Sequence, residues 1–491
     1  MPMQDMSRCT SDRPEDIPLC VDLDGTLIFT DSLVESILLL LARQPWFLFI
    51  LPFWVLQGRA SFKAKLARHV KPSPELLPYN RELLAALQKL HEQGRRLILV
   101  TAAHEKIAQS VSNHLKLFSQ VFGSEDARNL KGETKAHLLV NQFGARGFDY
   151  IGDSKADIPV WRQARLVFLA NAAPSLERRL SDLSLPVAHV YKSPTLYLMS
   201  VWSRLLRLHQ WLKNLLVFIP LATSLSILQI DLLARGMLAF LVFSLTASSV
   251  YVINDLIDLE SDRQHKRKRN RPFASGLVPL WVGFVIAPIL LLSSFFLAAL
   301  YLPTSFVIVL LVYLASTFAY SLYFKRVVLA DVMMLAGLYT LRIAAGSYAV
   351  GVELSFWLLA FSMFIFLSLA LIKRFSELQD AFDSGNEWIP GRGYKSSDLR
   401  LLMSLGTSSG YLAVLVLALY IHSPEVTLLY TEPRLLWLLC PLLLYWIGRM
   451  WMEAERSNMH DDPLVFVAKD RMTYVVGVIG AFIMFLAAKP L

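Results

Sequence analysis

The chain has 491 residues, of which 55% are apolar, 12% aromatic and only 18% charged, with a net charge of +9. Soluble domains carry nearer one quarter charged residues, and 23 prolines with 22 glycines are ordinary at this length, so fibrous and disordered classes are excluded. Three scattered cysteines (Cys9, Cys20 and Cys440) exclude a disulfide framework and are expected to be reduced.

Residues 1–15 read as a polar tail, and the first twenty hold no apolar run of the kind a cleavable signal peptide needs. Residues 16–185 alternate strand and helix signals. Short apolar runs at 17–22, 96–101 and 148–152 end at polar turns, with helical spacing at 80–93 and 132–142 between them. This βαβ pattern predicts an α/β domain built on a Rossmann-like parallel sheet, with ligands beyond the carboxyl ends of the strands. Residues 33–57 interrupt it: they are as apolar as a membrane span but broken by Arg43, Pro45 and Pro52. They predict an apolar helical cap, either buried or dipping as a hairpin into a membrane surface. The aromatics Trp46, Phe47, Phe49, Phe53 and Trp54 favour the surface.

Residues 186–209 read as an interfacial linker, and 210–491 as an all-α polytopic membrane domain. A helix needs about 20 apolar residues to cross a bilayer. Nine runs qualify, at 211–228, 235–253, 279–301, 303–321, 327–349, 354–372, 400–422, 434–452 and 472–489. Arg204, Arg207 and Lys213 precede the first, and further Lys and Arg crowd the alternate loops, 263–271 among them. By the positive-inside rule the N-terminal domain lies on the cytoplasmic side of an inner membrane. The net positive charge therefore points to a membrane and to phosphate ligands, not to nucleic acid.

Directly after the first predicted strand stand Asp22, Leu23, Asp24, Gly25 and Thr26. In order follow Thr101, Lys135, then Gly152, Asp153 and Ser154 with Asp157. This set resembles the haloacid dehalogenase-like (HAD) phosphohydrolases over residues 16–185. The resemblance implies that Asp22 is a carboxylate nucleophile and Asp24 the acid/base that serves the leaving oxygen. It also implies that Asp22, the Asp24 carbonyl and Asp153 hold Mg²⁺, while Thr101 and Lys135 steady the phosphoryl oxygens. Lys131 is a weaker alternative to Lys135, and Asp157 would support the metal ligands from behind. P-type ATPases join this fold to spans, but their DKTGT sequence and nucleotide-binding insertion are absent.

The second predicted span ends in Asn254, Asp255, Asp258 and Asp262. On one helix the three carboxylates share a face. Such a cluster needs cations, and Mg²⁺ carrying a diphosphate answers it, with Asp255 and Asp258 central to catalysis. Behind it, residues 265–272 are strongly basic, and Lys268 and Arg271 are placed to clamp phosphate oxygens.

The NDxxDxxxD run and the nine apolar segments resemble the UbiA-type intramembrane prenyltransferase superfamily over residues 204–489. Aromatic prenyltransferases of that superfamily carry a second acidic cluster. Here Tyr320, Lys325, Arg326 and a solitary Asp331 stand in its place, followed by Arg342, Lys373 and Arg374. Cations in place of carboxylates imply that both substrates carry phosphate. Together with Lys213 and Asn214, this resembles the polyprenyl-phosphate phosphoribosyltransferase branch, the decaprenylphosphoryl-5-phosphoribose synthases. It implies transfer of 5-phosphoribose from phosphoribosyl diphosphate to a polyprenyl phosphate. Asp255, Asp258 and Asp262 would hold at least one Mg²⁺ and Asn254 would support its geometry. Lys325, Arg326, Arg342 and Lys373 would bind sugar or lipid phosphate. The fused phosphohydrolase would then remove the 5-phosphate. Alternatives are an aromatic prenyltransferase using isoprenyl diphosphate, and a membrane carrier regulated by a phosphatase-like domain.

Overall fold

The structure is a computed structural model describing residues 17–125, 128–191, 198–224, 229–265, 267–383, 385, 387, 392–424, 426, 430–459 and 462–488. The predicted tail at 1–15, with Cys9, and Lys266 of the basic run lie outside the described residues. Cys20 and Cys440 are buried free thiols. The chain divides into two compact units. One comprises residues up to Leu205 together with Val252–Ile286, the other Leu206–Tyr251 and Ala287–Leu491.

The first unit is built on six parallel strands: β1 Leu19–Val21, β2 Leu97–His104, β3 Gln120–Ser124, β4 Asp149–Gly152, β5 Val167–Ala170 and β6 Val187–Tyr191. Their order is β3-β2-β1-β4-β5-β6, so the sheet extends past the predicted boundary at 185. Its helices are α1 Ser32–Arg43, α2 Phe47–Leu56, α3 Arg59–His69, α4 Arg81–Glu92, α5 Glu105–Leu115, α6 Glu133–Phe143, α7 Ile158–Gln163 and α8 Pro174–Asp182. Side chains alternate across a strand, and the core follows that period. Leu19, Val21, Leu97 and Leu99 pack with Leu83 and Leu87 of α4 and Val111 of α5. Cys20, Ile98 and Val100 pack on the other face with Leu139 of α6, Trp161 of α7 and Leu180 of α8. Each such buried Leu or Val contributes about 1.5–3 kcal/mol. The chain runs outward from β1 through β2 to β3 and then crosses back to β4 on the other side of β1; in open α/β sheets ligands collect at such a reversal, beyond the carboxyl ends of the strands.

The apolar segment 33–57 forms the helices α1 and α2, with Pro52 inside α2. One side packs as Leu40, Phe47 and Leu51 against Phe62, Leu66 and Val70 of the neighbouring α3 and its end. Its other side stays bare: Phe49 is 75% and Leu56 84% exposed, with Trp46, Leu48 and Phe53 beside them. So large an apolar patch marks an interaction surface.

After α9 (Leu198–Leu205) comes the predicted first span, which is corrected. Residues Leu208–Phe218 form a 3₁₀ helix, and α10 (Ile219–Thr223) adds five residues after a junction at Pro220. Proline fixes φ and lacks an N–H, so the apolar run does not continue as one α-helix.

Among the described residues, seven helices are long and apolar enough to cross a membrane, not nine. They include α11 Ile230–Ile257, α13 Leu280–Tyr301, α14 Thr304–Leu322, α15 Ala330–Val350 and α16 Phe356–Asp383; α12 (Leu259–Gln264) is a short helix between the first two. α17 (Leu399–Ile421) forms most of the sixth and Leu439–Glu455 most of the seventh. The last predicted span is a helix of 17 residues, Arg471–Ala487.

Within the second unit, Asp331 of α15 and Arg374 of α16 form a fully buried ion pair at 2.6 Å, and Tyr394 donates a short hydrogen bond to Asp331. Arg374 also pairs with Glu377, so removing Asp331 takes away one of its two carboxylates and leaves a buried guanidinium under-compensated, at a cost of up to about 3–5 kcal/mol. Asp331→Ala is expected to lower the unfolding midpoint in detergent markedly, and the double change Asp331→Ala with Arg374→Met to recover much of it. A single variant as stable as the parent would show the pair to be dispensable.

Candidate active sites

At the opening of the sheet, Asp22 follows β1 directly. Its Oδ1 accepts from the Leu23 N–H at 2.9 Å and pairs with the Lys135 ammonium at 3.0 Å. Lys135 is carried by α6, whose start is set by Gly132 at φ +58. This fixes the register that puts Lys135, and not Lys131, on Asp22. Lys135 also donates to the Tyr150 hydroxyl at 2.8 Å, which donates to Asp157 Oδ1 at 2.8 Å. Asp157 additionally accepts from the Ser154 N–H and hydroxyl. Oxygens of Asp22, Asp153 and Asp157 lie within 4.8 Å of one another, the one such acidic group among the described residues. Gly25, at φ +76, leaves room for this: a Cβ there would meet Asp153 Oδ2 at 2.3 Å. Convergent hard oxygens with no side chain between them fit a Mg²⁺ ion.

Asp24 is held by α1: its carboxylate accepts from the Ser32 N–H at 2.9 Å and the Ser32 hydroxyl at 3.1 Å. The Thr101 hydroxyl, in β2, accepts from the Ala103 N–H at 3.0 Å. Lys63 of α3 reaches over to the Ala102 carbonyl and the Asn129 side chain at 2.7 and 2.9 Å. The cavity, about 590 Å³, is lined by these residues and by Phe29, Leu33 and Leu66. Lys63, Asn129, Ser32 and Tyr150 were not read from the sequence.

Burial raises the carboxyl of Asp22 to about 6, against the opposing pull of Lys135. It raises Asp24 to about 7, with Asp31 adding, and Asp153 to about 8, with Asp22 and Asp157 adding. The ordinary value is 3.8. In that window the metal-free folded chain holds protons that the unfolded chain has lost, so its stability falls as pH rises. Mg²⁺ displaces those protons. The rise in unfolding temperature caused by Mg²⁺ is therefore expected to grow from about pH 5 to about pH 8, and to shrink in Asp153→Asn. Calorimetry showing equal shifts at both pH values would contradict the metal assignment.

The second acidic run also lies in the first unit. The sequence places Asp255, Asp258 and Asp262 on one helix face, but α11 ends at Ile257 and Asp258 begins the separate α12. Across that junction Asp262 still gives its N–H to the Asp258 carbonyl at 2.8 Å, and Asp255 and Asp262 share the guanidinium of Arg271, at 3.1 and 2.6 Å. Asp258 is half-buried, and Asn254 accepts its N–H through the main chain at 2.8 Å. Lys268 begins a short 3₁₀ turn before Arg271.

In the second unit the predicted cations fall into separate networks. Lys213 and Lys373 meet on Asp462, at 2.8 and 2.7 Å. Burial would raise the Asp462 carboxyl, but the two ammonium groups hold it far below the usual carboxylate range. Arg342 donates to Asn214 at 2.9 Å and to the Tyr313 hydroxyl at 3.0 Å, with its plane against Phe243, Tyr313 and Tyr339. Asp331 and Arg342 share α15 but not a partner, because Asp331 belongs to Arg374. The Tyr320 hydroxyl accepts from Arg392 at 3.2 Å; Arg392 also lies 3.6 Å from Asp331 and from Glu377. Lys325 and Arg326 close α14 in a 3₁₀ turn, where Arg326 is exposed. Asp462, Arg392, Tyr394 and Tyr313 were missed in the sequence. Asp462 beside Pro463 shows only the pattern of a helix cap, which it is.

An acidic, lysine-paired site at the strand ends of a parallel sheet, in a chain with an apolar helical domain bearing acidic and basic clusters, fits a membrane transferase fused to a hydrolase. The UbiA prenyltransferase family model matches residues 215–485, and the haloacid dehalogenase-like hydrolase model matches residues 19–162. The chain belongs to the UbiA prenyltransferase family and carries a haloacid dehalogenase-like domain ahead of it. It is 36% identical to the uncharacterized protein y4nM of Sinorhizobium fredii, over 95% of this chain and 91% of that one. It is 34% identical to the nodulation protein NoeC of Azorhizobium caulinodans, over 55% of this chain and 87% of that one. It is 36% identical to the decaprenyl-phosphate phosphoribosyltransferase of Mycolicibacterium smegmatis, over 44% of this chain and 69% of that one. A solved UbiA homolog from Archaeoglobus fulgidus bound to GPP and Mg²⁺ aligns with 58% of this chain and 97% of its own, at 17% identity and a TM-score of 0.44.

Proposed function

We propose that the chain transfers 5-phosphoribose from phosphoribosyl diphosphate to a polyprenyl phosphate and then removes the 5-phosphate, giving polyprenyl-phosphoryl-ribose. The observation that carries this reading is the pairing of a complete phosphomonoesterase site with a transferase domain related to decaprenyl-phosphate phosphoribosyltransferase. The first reaction leaves a phosphomonoester on its product, and the second removes one.

In the transfer, Asp255, Asp258 and Asp262 would hold Mg²⁺, which would supply charge to offset that of the diphosphate. Arg271 and Lys268 steady the diphosphate oxygens, and Lys213, Asn214, Arg342 and Lys373 serve the sugar and lipid phosphates. The bond from the anomeric carbon to diphosphate breaks, and a polyprenyl phosphate oxygen bonds to that carbon. No protein nucleophile is needed.

In the hydrolysis, Asp22 and Asp153 with the Asp24 carbonyl would hold a second Mg²⁺, which would supply positive charge beside the phosphoryl group. Oδ1 of Asp22 is engaged by Lys135 and Leu23, so Oδ2 attacks phosphorus. The bond to the ribose oxygen breaks as Asp24 gives that oxygen its proton. Asp24 then takes a proton from the water that attacks the phosphoryl-aspartate, and phosphate leaves. A carboxyl raised to about 7 is suited to both tasks. The Lys- and Arg-rich loops support a cytoplasmic position for both sites, by the positive-inside rule.

Purified chain incubated with phosphoribosyl diphosphate, polyprenyl phosphate and Mg²⁺ tests the reading. Formation of a ribosyl lipid supports it. Product from an isoprenyl diphosphate and an aromatic acceptor, with none from phosphoribosyl diphosphate, would replace it with the aromatic prenyltransferase.

A further inference from the structure

The phosphatase cavity has a wall that its own domain does not encode. Pro279, Leu280 and Trp281 line it together with Asp22, Asp24 and Lys135. All three fall within the part of the chain matched by the transferase family. Their segment is tied down tightly. Arg263 makes a bidentate pair with Glu35 of α1, at 2.6 and 3.0 Å, and both side chains are almost wholly buried. Glu35 also accepts from Thr30, while Arg263 donates to the Ala274 carbonyl. Glu260 accepts from Ser73 at 3.1 Å. Gly276, at φ +76, sits so close to the loop before α1 that a Cβ would meet Phe29 at 2.5 Å. A planar guanidinium paired at two points fixes orientation as well as distance. The same helix α1 that receives Arg263 holds Asp24 through Ser32.

Trp281 stands at a junction of two environments. It lines the cavity, remains 61% exposed, and is the second residue of α13, an apolar helix long enough to span a bilayer. Tryptophan at the end of a span sits at the headgroup level. We infer that Pro279, Leu280 and Trp281 form the lipid-facing wall of the phosphatase cavity, and that Trp281 makes the site selective for phosphomonoesters carried on a polyprenyl lipid over soluble sugar phosphates. This rests on the proposed two-step reading and names the substrate class of its second site. The lipid's apolar stem lies along the indole while its phosphate reaches Asp22. The bonds broken and formed are those of the hydrolysis above; the wall contributes binding only. Trp281 is thus a specificity residue, not a catalytic one.

The test supplies chemically prepared 5-phosphoribosyl polyprenyl phosphate and, separately, ribose 5-phosphate to the full-length chain in one detergent. The readout is the ratio of kcat/KM for the lipid to that for the sugar phosphate. The wild type is expected to favour the lipid. Trp281→Ala is expected to lower the ratio at least about tenfold, and Trp281→Phe to restore most of it. A merely structural role for Trp281 lowers both rates together and leaves the ratio fixed, which would overturn the inference. A wild-type ratio at or below one would overturn it also. Because the lipid is supplied ready-made, failure of the transfer reaction shows separately, as absence of phosphoribosyl lipid when phosphoribosyl diphosphate is the donor.

Discussion

Replacing Asp22 with Asn is expected to stop the chain after its first reaction, so that phosphoribosyl lipid accumulates and no phosphate is released. Asn is nearly the same size as Asp and keeps an acceptor for the Leu23 N–H, so the loop retains its form. It removes the negative oxygen that attacks phosphorus, and the charge that Lys135 meets at 3.0 Å. Loss of a nucleophile from a site that acts as a unit costs at least about 10³-fold in rate. Transfer should continue at close to the wild-type rate, because Asp22 takes no part in it. Chromatography of the lipid product reads both quantities at once. Ribosyl lipid formed by Asp22→Asn at the wild-type rate would remove the hydrolase domain from the reaction.

Asp255→Ala is expected to act in the opposite sense: transfer falls at least about 100-fold, while hydrolysis of supplied phosphoribosyl lipid persists. Asp255 is buried and shares Arg271 with Asp262. The substitution removes the proposed metal ligand and leaves the guanidinium with one of these two carboxylates. Asp255→Asn, which keeps the volume, separates packing from charge: it should fail in transfer while folding as the parent does. A variant without Asp255 that transfers phosphoribose normally would show that the acidic run is only a solvated cap.

The hydrolase site was legible because its chemistry is written in short runs that follow strands. Asp22 and Asp24 stand two residues apart beyond β1, and Asp153 just beyond β4, so finding the strands places the carboxylates. Lys135 was read from the resemblance with Lys131 kept as an alternative, because spacing leaves the helix register around Gly132 open; in the structure Lys135 meets Asp22. The residues that hold Asp24 were not legible: Ser32 lies eight positions from Asp24 with no repeating pattern. Pairs such as Glu35 with Arg263, or Lys213 with Asp462, join residues more than two hundred positions apart. Spacing along one chain carries no signal of such contacts. In the transferase, apolar run length identified seven long helices but misjudged residues 211–228. Hydropathy measures composition, whereas the 3₁₀ turn and Pro220 decide continuity.

The coupling of the two reactions is tested most directly by a time course of lipid products and free phosphate from the wild-type chain, given phosphoribosyl diphosphate, polyprenyl phosphate and Mg²⁺. Phosphoribosyl lipid should rise first and decay into ribosyl lipid, with one phosphate released for each ribosyl lipid formed beyond the diphosphate of the transfer. A lipid product that keeps its 5-phosphate indefinitely, with only diphosphate released, would contradict the account.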